Sequence, residues 1–233
     1  MAGAGRNEAL RMMHVLAETS VAQTLPLWFD VTVMAVNGLL GAAVARSRNA
    51  PIFGTLFAAV LVGLGGGMVR DVLLGLEPVA ISNWVYIPAV LVGGVLGALL
   101  FGRVLKKQSH FALIQGIVLG FLVTIGAQKA LDYDTPVISA MVLGIVTASF
   151  GGMLADVMTG YRATIARQAH WIASALVGGA IVFVLISIWI GFWPAVIVSV
   201  IVTSALRYAS QVRNWPSPKW PGEPMSTPDN PPT

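Results

Sequence analysis

The chain has 233 residues, only 10% of them charged, and a mean hydropathy of +0.79. A water-soluble globular domain carries about 25% charged residues, so this composition excludes one and calls for an integral membrane protein. Cysteine is absent, which excludes disulfides and thiolate metal sites. The net charge of +4 is read as basic loops that set topology, not as a nucleic-acid surface.

Residues 1–26 hold Arg6, Glu8, Arg11 and Glu18 without the apolar core of a signal peptide. Within them, Glu8 to Leu16 suits an amphipathic helix on the membrane surface. Seven apolar segments follow, at about 27–46, 52–74, 84–105, 111–131, 136–157, 169–190 and 194–210. Each is about as long as a helix needs to cross a hydrocarbon core. Trp28, Trp84, Tyr86, Trp171, Trp189 and Trp193 fall at segment ends, as interfacial anchors do. A proline-rich stretch over 211–233 predicts a disordered tail.

The short loops fix an expected orientation. Arg46 and Arg48, then Arg103, Lys106 and Lys107, then Arg162 and Arg167, and finally Arg207, Arg213 and Lys219 gather on one side. Glu77, Asp132 and Asp134 occupy the other. Cytoplasmic loops collect Lys and Arg, so the amino terminus is expected outside and the carboxyl terminus in the cytoplasm.

The chain repeats itself. Gly66-Gly67-Met68 with Asp71-Val72 and Gly75 returns 85 residues later as Gly151-Gly152-Met153 with Asp156-Val157 and Gly160. The register holds at Gly41 and Gly126 upstream, and at Gly93-Gly94 and Gly178-Gly179 downstream. One repeat is three segments long, and an odd number inverts the second copy. The expected fold is therefore all-α: a three-helix repeat over 27–105, an inverted copy over 111–190, and a seventh helix over 194–210. Inverted repeats with glycine-interrupted helices point to a membrane pathway near the repeat interface.

Glycine costs about 1 kcal/mol against alanine in a helix interior. Close helix packing explains Gly93, Gly94, Gly178 and Gly179. Gly65, Gly66 and Gly67 in succession, and Gly151-Gly152, weaken a helix more than packing needs, so breaks in the second and fifth helices are expected. Arg70, Asp71 and Asp156 follow these clusters. Lys129 stands where the first repeat has Val44, so a charge breaks the symmetry there. Lys129 either snorkels to the outer interface or faces the bundle interior, where its expected partner is Asp71, with Asp30 second. A fixed ammonium in a pathway repels cations, which suits Lys129 to a gate. Thr32, Thr124, Thr147 and Ser149 offer a hydroxyl-lined route.

These motifs resemble the prokaryotic branch of the trimeric intracellular cation (TRIC) channels. The resemblance rests on Gly65 to Gly75, on Gly151 to Val157 and on Gly126 to Leu131, and covers about residues 27–210. It implies a homotrimer with one pore per subunit, lined by the first, second, fourth and fifth helices. The implied cargo is a monovalent cation, mainly potassium. It carries Lys129 over as the pore-side lysine, Arg70 and Asp71 as polar neighbours of the first kink, and the glycines as kinks. One departure stands out: prokaryotic members often repeat Arg-Asp in the second copy, where this chain has Ala155-Asp156.

A second reading is a transporter or facilitator for a small solute such as an amino acid, because inverted repeats serve both classes. No charge lies near any span centre, which favours a channel. A third is a structural membrane protein with glycine-packed helices. His14, His110 and His170 are isolated, and no His-Glu-x-x-His, phosphate loop or Gly-x-Ser-x-Gly occurs. No enzymatic activity, cofactor or structural metal is expected. Membrane lipids and copies of the chain are the expected partners.

Overall fold

The computed structural model describes residues 26–104, 108–160 and 172–213. Their long helices are α1 (Leu27–Ser47), α2 (Ile52–Leu73), α3 (Tyr86–Val104), α4 (Gln108–Asp132), α5 (Val137–Met158), α6 (Ile172–Trp189) and α7 (Phe192–Val212), with a one-turn helix at Val79–Ser82. Six of the seven are long and apolar enough to span a membrane, and α3 contributes a shorter apolar stretch, Tyr86–Phe101. The fold is that of an all-α integral membrane protein. The surface helix expected near the amino terminus, the proline-rich tail beyond Arg213, and Lys106, Lys107, Arg162, Arg167, His170 and Trp171 lie outside the described residues.

The repeat is written into the backbone. Pro51 caps the start of α2 and Pro136 that of α5. Asn49 and Asp134, just before them, both sit at positive φ, 59° and 55°. Their short polar side chains tolerate that region better than most. Gly75 and Gly160 end the two helices at φ 72° and 76°, the left-handed close that glycine allows. All three pairs keep the 85-residue offset.

Within repeat one, α1, α2 and α3 pack on one another, as α4, α5 and α6 do in repeat two. The two repeats meet where α2 crosses α5. There the backbones nearly touch: a Cβ built on Gly66 would lie 1.9 Å from the Thr147 carbonyl oxygen, and one on Gly151 would lie 2.4 Å from that of Leu61. The expected breaks in the second and fifth helices are not found. Both α2 and α5 are helical from end to end through Gly65, Gly66, Gly67, Gly151 and Gly152. The glycines let two continuous helices cross at backbone distance, as small residues do in membranes.

The repeats differ where α7 enters. In repeat one α1 lies directly on α3, with Gly93 against the Ala35 carbonyl and Gly97 against that of Leu39. In repeat two α7 packs on both α4 and α6. Gly116 and Gly120 of α4 face the backbone of Ser204 and Val200, and the Ser199 hydroxyl donates to the Gly179 carbonyl of α6 at 2.9 Å.

Candidate functional site

The carboxyl end of α2 carries Arg70 and Asp71 into the bundle. Both are buried, at 4% and 1% exposure. The Asp71 Oδ1 is held by Arg70, with Nε at 2.7 Å and Nη2 at 2.6 Å, and by Lys129 Nζ at 3.1 Å. Its Oδ2 accepts the Val79 N–H at 3.1 Å, so the one-turn helix docks on the same carboxylate. Lys129, from the last turn of α4, is 5% exposed. A snorkelling lysine would reach the surface; this one turns inward.

Asp30, from the first turn of α1, joins this group and interacts electrostatically with Arg70, Lys129 and Asp71. Its Oδ2 accepts the Tyr86 hydroxyl at 2.5 Å. Tyr86 is therefore a buried bonding partner and not the interfacial anchor that its place at a segment end suggested. Trp84 and Trp189, by contrast, are widely exposed. Two buried polar atoms of the cluster, Asp30 Oδ1 and Arg70 Nη1, have no protein hydrogen-bond partner among the described residues. Buried polar atoms are rarely left so, and here an acceptor and a donor share one cluster.

On the other side of the α2–α5 crossing lies a cavity of about 120 Å³. It runs from mid-bundle, where Asn37, Val62 and Ser149 line it, to the opposite end, where Arg48 and Asp156 line it. Asn37 Nδ2 donates to the Val62 carbonyl at 2.6 Å. Arg48 Nη1 pairs with Asp156 Oδ1 at 2.7 Å. Gly152 also lines the cavity, and a Cβ there would meet nothing within 4 Å.

The residues singled out in the sequence thus divide in three. Lys129, Asp71, Arg70 and Asp30 converge at one end of the bundle. Gly65, Gly66, Gly151 and Thr147 form the crossing. Asp156, Ser149 and Gly152 line the cavity towards the other end. The hydroxyl-lined route is reduced accordingly. Only Ser149 of the four hydroxyls lines this cavity; Thr124 is buried and donates to the Phe121 carbonyl, and Thr32 is exposed on the outside of α1.

Asn37, Arg48, Tyr86 and Arg207 were not picked out as site residues. Asn37 left a trace, as a lone amide in mid-span where the second repeat has Leu122. Arg48 has a sufficient explanation in the sequence as a topology charge, although Asp156, its partner, is the repeat mate of Asp71. Arg207 stands in the sequence among the charges around the end of the last span. It lies within α7, buried, with Nη2 2.9 Å from Gln115 Oε1, and Gln115 lines the cavity.

Paired inverted repeats, a seam of glycines, and buried charge to either side of that seam make the repeat interface of this membrane protein its candidate site. The sequence model of the family described as Glycine transporter matches twice, over residues 27–101 and 112–187, once on each repeat. The chain belongs to that family. It is 28% identical over 166 residues to a UPF0126 membrane protein of Vibrio cholerae, which covers 70% of this chain and 69% of that protein. It is 26% identical over 162 residues to the UPF0126 inner membrane protein YadS of Escherichia coli K12, covering 67% and 77% of the two. Among solved structures, the TRIC channel orthologue from Rhodobacter sphaeroides superimposes with a TM-score of 0.71 at 26% identity, over 80% of this chain and 97% of that one. A TRIC cation channel solved for the structural basis of its conductance gives a TM-score of 0.75 at 22% identity, over 86% and 100%. The fold is the TRIC channel fold, as the motifs had suggested.

Proposed function

We propose that this protein is a cation channel that passes monovalent cations, potassium foremost, through a path within each subunit of a homotrimer. The observation that carries this reading is the arrangement along α2 and α5: a cavity reaching mid-bundle from the Arg48 end, a glycine crossing, and a buried cluster of two cations and two carboxylates beyond it. A rigid apolar core would not hold four charged groups there, since each ion removed from water costs several kcal/mol. The TRIC orthologue at 26% identity supports cations as the cargo.

In this reading Lys129 is the gate. While its ammonium lies on Asp71, a positive group fills the path and the carboxylate is masked. When Lys129 withdraws, Asp71 faces the path with Asp30 nearby, and a cation replaces the ammonium. Arg70 holds Asp71 in place throughout. The basic loops support a protein of the inner cell membrane with the Asp30 end outside and the Arg48 end in the cytoplasm.

A facilitator of small amino acids is the second reading. The family description favours it, as does a cavity mouth that offers both a guanidinium and a carboxylate. Purified protein in liposomes separates the two. The channel reading predicts potassium flux that follows membrane potential, unchanged by millimolar glycine. Saturable glycine uptake with no potassium conductance would overturn it.

A further inference from the structure

Asp71 and Asp156 are repeat mates, each near the carboxyl end of its helix. Each meets a cation from the opposite repeat. Lys129 reaches Asp71 from the end of α4, the first helix of repeat two, and Arg48 reaches Asp156 from just beyond the end of α1, the first helix of repeat one. The cations are not themselves repeat mates, because Lys129 matches Val44 and Arg48 matches Tyr133. One latch, a carboxylate on the crossing helix and a cation from the facing repeat, has been built twice from different residues. The repeat inversion sends the two copies to opposite ends of the bundle.

We infer that the Arg48–Asp156 pair is a second gate, closing the end of the path opposite Lys129–Asp71. The inference rests on the reading of this protein as a channel with a path along α2 and α5, and not on Lys129 as the other gate. Both residues of the second pair line the cavity, and the bond between them joins the α1–α2 turn to α5 at its outer part, with Asn37 and Ser149 deeper in. The side chains of this pair are 18% and 8% exposed, against 7% and 2% for Lys129 and Asp71. Water screens the wetter pair more, so it opens at lower cost. Withdrawal of the Arg48 side chain from this pair opens the cavity that both residues line and presents the Asp156 carboxylate to an incoming cation.

The chain has no cysteine, so Ser149→Cys supplies a single reporter thiol inside the cavity. Its rate of reaction with a membrane-impermeant thiosulfonate, added from the Arg48 side of liposomes, reads the state of this gate. Arg48→Gln should raise that rate roughly tenfold, as should Asp156→Asn should the first variant fail to insert. The exchanged pair, Arg48→Asp with Asp156→Arg, should return it towards the parental rate. Equal rates in parent and neutralised variants, or an exchange that labels as fast as Arg48→Gln, would overturn the inference. The Lys129 reading is judged separately, by ion flux in Lys129→Gln: unchanged flux there with faster labelling in Arg48→Gln would sink the Lys129 gate and keep this one.

Discussion

Lys129 is a charge the fold does not require, since Val44 fills the same place in the other repeat. Burying it is tolerable because Asp71 lies 3.1 Å away. Asp71 in turn holds two cations, so it is the residue the cluster can least spare. Asp71→Asn leaves Arg70 and Lys129 buried without that carboxylate and should cost about 3–5 kcal/mol of stability, visible as a fall in the unfolding temperature in detergent. Lys129→Gln removes a cation instead and should keep the protein folded while changing open probability or unitary conductance. Lys129→Arg should preserve the pair and gate close to the parent. If both Lys129 variants conduct as the parent does, the gate assignment fails. The Lys129–Asp71 partnership was readable in the sequence because both residues sit at helix ends on one side of the repeat. Arg48–Asp156 was not, because 108 residues separate the pair and the loop position of Arg48 already had a sufficient explanation in topology.

At the scale of the helix, the glycine clusters were legible as special but not as what they are. Helix propensity argues for a break; tertiary packing overrides it, because the crossing of α2 and α5 compensates for the lost side chains with backbone contact. The two readings differ in a measurable way. Gly66→Ala would drive a methyl to 1.9 Å from the Thr147 carbonyl oxygen, so the helices must part. Overpacking of this kind costs typically 1–3 kcal/mol. Gly152→Ala, with nothing within 4 Å, should leave stability within about 1 kcal/mol of the parent, on the stabilising side if propensity decides. A Gly66→Ala protein as stable as the parent would refute the crossing. The role of α7 was beyond the sequence altogether. Gly116 and Gly120 carry no mark that distinguishes a seat for α7 from a seat for any other helix.

At the scale of the whole molecule, the described residues form two inverted copies of one three-helix unit with α7 packed on the second, and the two copies were plain in the 85-residue register. The seven expected spans return as six long apolar helices and a shorter one, α3, whose apolar stretch ends at Phe101. Orientation rests on loop charge and is open to direct test. A cysteine placed at Ser47, which is exposed, should react only from the cytoplasm, and one at Asp134, also exposed, only from outside; the reverse would invert the proposed topology. Crosslinking in mild detergent should proceed to trimer, and a clean stop at dimer would exclude the proposed assembly. The central claim is passive cation conduction through each subunit. Recording from single purified complexes in a planar bilayer under a potassium chloride gradient tests it most directly. The account predicts unitary current steps that reverse near the potassium equilibrium potential, in up to three equal levels per complex. An electrically silent bilayer, with the same preparation taking up glycine saturably in liposomes, would contradict it.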